Sequence, residues 1–459
     1  MTPGGGVHGL LFGDARVAEA FGDHATLQRM LDVEAALAEA EASAGVIPHA
    51  CVAPIQAAAK AELYDHAAIA AAAARAGNIA IPLVQQLTER VASIDPAAAS
   101  YVHWGATSQD ILDTGLVLQL RAAVPVVLEY LERAARSGAD QARRYADVPM
   151  SGRTWLQQAT PITFGLKAAG WVDALDRTRA RLGVALDAAL VLQFGGASGT
   201  LAALGSHGLT VTGALAARLR LRAPDLPWHA HRDRLADLAC ALGVAAGTAG
   251  KIARDLSLLA QTEIGEAVEA PHDGSGGSST MPHKRNPVST SVALAAAARA
   301  PGLVATMLAA MNQEHERGLG GWQAEWVTLP ELVLAAAGGA RALADALDGL
   351  VVDAPRMRAN LDATGGVALA EAIVMVLAAP LGRREAHARV EAAARRATAE
   401  RRPLADVLGE DPVVTRHLDR EEIERRLMPE QYLGVAHAFV DRVLSRRLEA
   451  NERKTDEDA

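Results

Sequence analysis

The chain has 459 residues, too many for one compact core, so the length implies two or three domains or a long architecture shared between subunits. Half of it is apolar but only 3% is aromatic, which leaves Ala, Leu and Val to build the core and predicts an all-α fold. Lys and Arg number 45 against 54 Asp and Glu, a net charge of −9, and no long basic run offers the face that a nucleic-acid binder needs.

Residues 1–110 read as short helices broken by turn signals. The opening MTPGGGVHGL lacks the basic and apolar regions of a secretory signal. Thr26 to Ala44 carries apolar Leu27, Met30, Leu31 and Leu37 among acidic positions, with Gly45 placed to end the helix. Over 111–350 the helical patterns lengthen; one runs from Leu116 through Leu128 and Leu131 into Ala135, with Pro125 kinking it rather than ending it. Gln193–Thr200 is irregular. His229 and His231 lack a third ligand at metal-binding spacing and read as part of a polar connection between helices. Ile252, Leu256 and Leu259 recur at helical spacing, and Glu263 extends that stripe, where an acid faces either an active site or a subunit interface; the structural or interface reading is preferred and Glu263 stays outside the candidate site. Over 351–459 the helices shorten again. Arg395, Arg396, Arg401 and Arg402 are diluted by Glu391 and Glu400 into a solvated face, and Glu449–Ala459 reads as a disordered tail. No segment has about 18 uninterrupted apolar residues, so no membrane span is expected. Cys51 and Cys240 sit in apolar helical contexts and read as buried, reduced thiols, which suits the cytoplasm.

Three segments carry chemistry. In 271–287, PHDGSGGSSTMPHKRNP, hydroxyls on a Gly-rich backbone precede His283, Lys284 and Arg285, a collection of potential cations suited to an anion. A loop this long inside a helical domain suits a lid. His103–Asp110, HWGATSQD, stands directly before a long helix, where Thr107 or Ser108 can cap the helix and free amides can receive a carboxylate. Ser151–Pro161, SGRTWLQQATP, is unusually polar for an approach to a long apolar helix.

GSSTMPHKRNP (Gly277–Pro287) resembles the signature loop of the fumarase/aspartase superfamily, GSSxMPxKxNP. HWGATSQD resembles that superfamily's HxGxTSxD segment, and GRTWLQQATP its GRTHxQxATP segment, all in the same order. The resemblance implies a three-domain all-α fold in which long helices of a central bundle associate as a homotetramer. Each active site is then assembled from three subunits, and no cofactor or metal is needed.

Within that pattern Trp155 stands where the lyases carry a histidine. Elimination of an amine or hydroxide needs a general acid to protonate the leaving group, whereas a carboxylate, with a pKa near about 4, needs neither protonation to leave nor a base to attack. GRTWLQ, HERGLGGWQAEW (His315–Trp326) and LDVEAALAEAEASAGVIP look like the 3-carboxymuconate cycloisomerases of bacteria. The resemblance implies reversible lactonisation of a small tricarboxylate, part of aromatic catabolism through β-ketoadipate. Ser278 or Lys284 is the implied proton donor; Thr107, Ser108, Asn286 and Arg317 orient carboxylates, and Trp155 excludes water, with His103, Thr154 and Gln157 completing the substrate contacts. The alternatives are adenylosuccinate or argininosuccinate lyase activity and, more remotely, a non-catalytic structural tetramer.

Overall fold

A computed structural model of the chain describes residues 8–270, 276–277, 281 and 284–457. It is dominated by helices, as the Ala-rich composition predicts. Those used below are α1 (Asp23–Ser43), α2 (Ser108–Arg144), α3 (Phe164–Ala189), α4 (Asp233–Leu259), α5 (Val288–Ala310), α6 (Gly321–Asp348), α7 (Ala354–Asp362), α8 (Ala370–Leu381), α9 (Arg383–Glu400) and α10 (Ala436–Glu457). Among the described residues two antiparallel pairs, which composition did not anticipate, interrupt them: β1 (Pro149–Thr154) with β2 (Gln157–Thr163), and β3 (Ala267–Glu269) with β4 (Leu350–Val352).

The helix ends follow local chemistry. α1 closes at Ser43 with Gly45 in the left-handed region, where the Gly45 amide donates to Ala42 and the Val46 amide to Glu41, a Schellman closure. α2 runs through Pro125 for 37 residues, so the proline does not end it. α4 stops at Leu259, which corrects the expectation that Glu263 prolongs its apolar stripe: a turn closed by the Ile264 amide on Gln261 leaves Glu263 exposed beyond the helix. α10 continues to Glu457, so the charged end expected as a disordered tail is helical that far; Glu, Lys and Arg are good helix formers.

The chain divides into two compact units. The first comprises Met1–Glu132, Arg177–Lys251 and Ser291–Leu343. Leu31, Leu37, Leu83, Leu87, Ile111, Val117, Leu120, Leu238, Leu242, Leu332 and Leu343 form its buried interior. Small residues let its helices approach closely: a Cβ added at Gly250 of α4 would lie 2.3 Å from the Ala297 Cβ of α5.

The second unit comprises Arg133–Asp176, Ile252–Thr290 and Ala344–Ala459. Ile373, Leu377, Val390, Leu404, Leu408, Val414 and Ile423 make the core around α8 and α9. Arg395 and Arg396 of α9 are taken up locally, Arg396 by Glu400 at 2.9 Å and Arg395 by Glu391. The Trp171 indole N–H of α3 donates to the Asp255 carboxylate of α4 at 2.7 Å. Cys51 is buried and Cys240 half-buried, both as free thiols.

By length and mean hydropathy, four helices among the described residues (α2, α4, α5 and α6) are long and apolar enough to cross a membrane. None of them is an uninterrupted apolar run, because Ala raises the hydropathy of helices that still carry charges. The fold buries 67, 61 and 83% of the apolar windows of α2, α4 and α6 but only 28% of that of α5, which leaves α5 with apolar surface to cover.

Candidate active site

In the first unit the His103–Asp110 segment enters α2. Thr107 is the residue before the helix, and its amide donates to the Asp110 carboxylate at 3.1 Å while the Asp110 amide donates to the Thr107 carbonyl at 2.9 Å. This reciprocal cap uses the residue three positions into the helix, so the Thr107 hydroxyl is not spent on capping.

Asp110 does more than cap. Fully buried, it also accepts from the Gln193 side chain (3.1 Å), the Gly195 and Gly196 amides (3.0 and 2.9 Å) and His229 Nε2 (2.7 Å). One carboxylate thus holds the irregular Gln193–Thr200 stretch against the start of α2. His229 lies, as expected, in the polar connection that precedes α4, but it is buried there, 3% exposed, and its carbonyl also accepts from the Gln109 side chain at 3.0 Å.

Arg317 completes this cluster. Its guanidinium donates to the Gln109 side-chain oxygen (3.0 Å), the Thr107 hydroxyl (3.3 Å) and the Gly196 carbonyl (3.4 Å). Among the described residues that leaves one N–H on each terminal nitrogen without a partner, the pair that a carboxylate engages in a fork. Ser108 is half-buried at the first position of α2.

Beneath the cluster, Arg232 is 1% exposed and lies between two carboxylates: Asp113 at 2.6 and 3.0 Å, and Glu325 at 2.5 and 3.1 Å. Burial raises the Glu325 pKa against the lowering influence of Arg232. Asp113 also receives Gln109 (3.1 Å) and the Trp322 indole N–H (3.0 Å). The residue that holds Arg317 is therefore itself held from below.

His103, with φ +57, pairs through Nδ1 with Glu34 of α1 at 2.6 Å. Burial by itself lowers the His103 pKa, but Glu34 and the Asp110 charge outweigh it and raise the value above the ordinary 6.5. Two turns along α1, Glu41 is 1% exposed, and neither carboxylate oxygen has a hydrogen-bond partner among the described residues. Burial, aided by the Glu34 charge, pushes its pKa up to about 9.

In the second unit Thr154, Trp155 and Gln157 lie at the tip of the β1–β2 hairpin. The pairs Thr154↔Gln157 and Arg153↔Gln158 leave Trp155 and Leu156 as the two turn residues. Both are left-handed, at φ +52 and +64, and 95% and 80% exposed. Turns of this kind favour Asn-Gly, and the conformation costs a residue with a Cβ roughly 1–2 kcal/mol. The strands approach so closely behind the tip that a Cβ on Gly152 would lie 2.5 Å from the Thr160 carbonyl oxygen.

Arg153 grips the base of the turn. Its two terminal nitrogens reach the Glu266 carboxylate at 2.8 and 2.6 Å; Glu266 is 0% exposed and also accepts from Asn360 of α7 at 2.9 Å.

Of the 271–287 loop, Lys284 is exposed and Asn286 half-buried, on a short bridge in which Gly277 pairs with Arg285 and the Asn286 amide donates to Gly276 at 2.8 Å. Glu269 of β3 caps the helix that follows, accepting the Ser289 and Thr290 amides at 3.1 and 2.7 Å. Ser278 lies outside the described residues, as do Ser279, Thr280 and His283. Among the described residues, no three His, Cys, Asp or Glu side chains are grouped to hold a metal.

Thr107 and Arg317 thus meet in one cluster, and Thr154, Trp155 and Gln157 in one turn. Asp110 lay inside a segment already noted, yet its role was not legible. Glu34, Glu266, Asn360, His229 and the Arg232 pair of carboxylates come from distant parts of the chain, and no local spacing marks them.

The lyase family model matches residues 14–302, and the model for the adenylosuccinate lyase C-terminus matches residues 366–443. The 3-carboxy-cis,cis-muconate cycloisomerase of Pseudomonas aeruginosa is 56% identical over 425 residues, 93% of each chain. The enzyme of that name from Bradyrhizobium diazoefficiens is 52% identical, over 95% of this chain and 96% of its own. The crystal structure of 3-carboxy-cis,cis-muconate lactonizing enzyme from Pseudomonas putida superposes with a TM-score of 0.91 at 51% identity, over 96% of this chain and 99% of that one. The chain belongs to the lyase family of the fumarase/aspartase superfamily.

Proposed function

We propose that this protein is a 3-carboxy-cis,cis-muconate cycloisomerase that closes its substrate reversibly to 4-carboxymuconolactone, with no cofactor. The observation that carries the reading is the turn residue Trp155, which presents an apolar ring with no group able to protonate an amine or hydroxide leaving group. A carboxylate nucleophile and leaving group makes such an acid unnecessary. The identity of 56% to a cycloisomerase over nearly the whole chain supports the same reading.

In the forward direction a substrate carboxylate oxygen bonds to a diene carbon. The π electrons move toward the neighbouring carboxylate as an enolate, and a proton is added to the adjacent carbon. Lys284 stabilises the enolate and competes with Ser278 as the proton donor. The free fork of Arg317, with Thr107 and Ser108 beside it, takes a carboxylate. Asn286, Thr154, Gln157 and His103 orient the remainder, and Trp155 excludes water and favours the cyclising conformer.

The working unit is a soluble cytoplasmic homotetramer of three-domain subunits, with each site drawn from three of them. The largely uncovered apolar surface of α5 suits that association. Purified protein mixed with 3-carboxy-cis,cis-muconate, without added metal or nucleotide, is expected to bleach the diene ultraviolet absorbance rapidly and to leave adenylosuccinate intact. Turnover of adenylosuccinate instead would overturn the reading.

A further inference from the structure

The Trp155–Leu156 turn combines three features that do not arise together by accident of packing. Two bulky residues occupy left-handed positions that favour Gly or Asn, neither side chain is buried by its own unit, and a bidentate ion pair sits directly behind them. A strained conformation persists only where its surroundings over-determine it. Here the over-determination is visible. Glu266 is 0% exposed, receives both terminal nitrogens of Arg153, and takes a third bond from Asn360, whose side chain also donates to the Ile264 carbonyl at 2.8 Å. A buried ion pair adds little stability over apolar packing, but a planar fork fixes direction. Arg153 stands one residue before the last strand position, so a fixed guanidinium plane sets the aim of the tip.

We infer that Arg153, Glu266 and Asn360 are positioning residues that aim the turn, and that Leu156 joins Trp155 as a second apolar wall selecting a planar, conjugated polycarboxylate. The inference rests on the cycloisomerase reading. The flat indole and the branched Leu156 side chain face solvent between the polar Thr154 and Gln157, an arrangement matched to an apolar diene whose carboxylates lie at its ends.

The test uses the intact protein in four variants: Arg153→Lys, Leu156→Ala, Trp155→Ala, and Trp155→Asn with Leu156→Gly. Arg153→Lys keeps the charge but loses the fork. It is expected to speed amide exchange across 150–163 and to lower kcat by about 10–100-fold with KM within about threefold. That kinetic loss shrinks to under about twofold in the Trp155→Ala background, because the clamp acts through the tip. Leu156→Ala lowers kcat/KM about tenfold. The Asn-Gly turn holds or raises Tm while kcat falls, as relief of functional strain requires. Unchanged hairpin exchange in Arg153→Lys, or an equal kinetic loss with and without Trp155, overturns the clamp. Full kcat/KM in Leu156→Ala removes the second wall. A wild type inactive on 3-carboxy-cis,cis-muconate overturns the functional reading instead, and the exchange and Tm measurements still decide whether the clamp holds the turn.

Discussion

Around Asp110 the first unit spends a fully buried carboxylate and five donors to fix a short stretch of backbone, while the second unit leaves Trp155 and Leu156 exposed in a conformation their side chains disfavour. The first arrangement is stable because every partner is satisfied; the second is held from behind, by Arg153 on Glu266. The difference separates a scaffold, in which loss of one atom strands several others, from a presented surface, in which a side chain can change with little harm to folding.

The comparison predicts opposite outcomes for stability and turnover. Asp110→Ala leaves the Gly195 and Gly196 amides and His229 without their acceptor, and is expected to cost about 3–5 kcal/mol, read as a fall in Tm and in denaturant midpoint. A variant with wild-type Tm would show that the hub is not structural. Lys284→Met, at an exposed position, is expected to leave Tm and assembly unchanged while turnover of 3-carboxy-cis,cis-muconate falls about 10²–10³-fold. Near-normal turnover would remove Lys284 from the reaction.

The smallest effect concerns a flaw on the buried side, Glu41, whose carboxylate has no hydrogen-bond partner among the described residues. Its folded pKa near 9 lies above its ordinary 4.5, so the folded state holds a proton that the unfolded state releases within that window. Stability is then full below about pH 4.5 and declines toward pH 9, by at most about 1.4 kcal/mol per pH unit. Glu41→Gln is expected to flatten that decline, with a larger gain in Tm at pH 8 than at pH 5. Parallel curves for the two proteins would show that Glu41 finds a partner in solution.

Much of this was open to reading along the chain. An Ala-rich, aromatic-poor sequence makes helices whatever their packing, Gly45 ends α1 by local geometry, and GSSTMPHKRNP, HWGATSQD and GRTWLQ mark the chemistry because each is contiguous. The hairpin was less legible. Its strands are short, and what makes them strands is their pairing with each other and the bulge beside Gly152, not an alternating apolar pattern. Glu263 misled for a related reason: a helical stripe continues in sequence after the helix itself has stopped.

Composition and local motif therefore determined the all-α class, the family and the segments that hold the candidate site residues, because helix propensity, capping and a contiguous loop act within a few residues. Tertiary structure decided that Asp110 gathers Gly195, Gly196, Gln193 and His229, that Arg232 joins Asp113 to Glu325, and that Glu266 grips Arg153. These pairings bring a buried charge together with groups about 80 to 120 positions away in the chain, and such a charge finds its partners only where folding has excluded water.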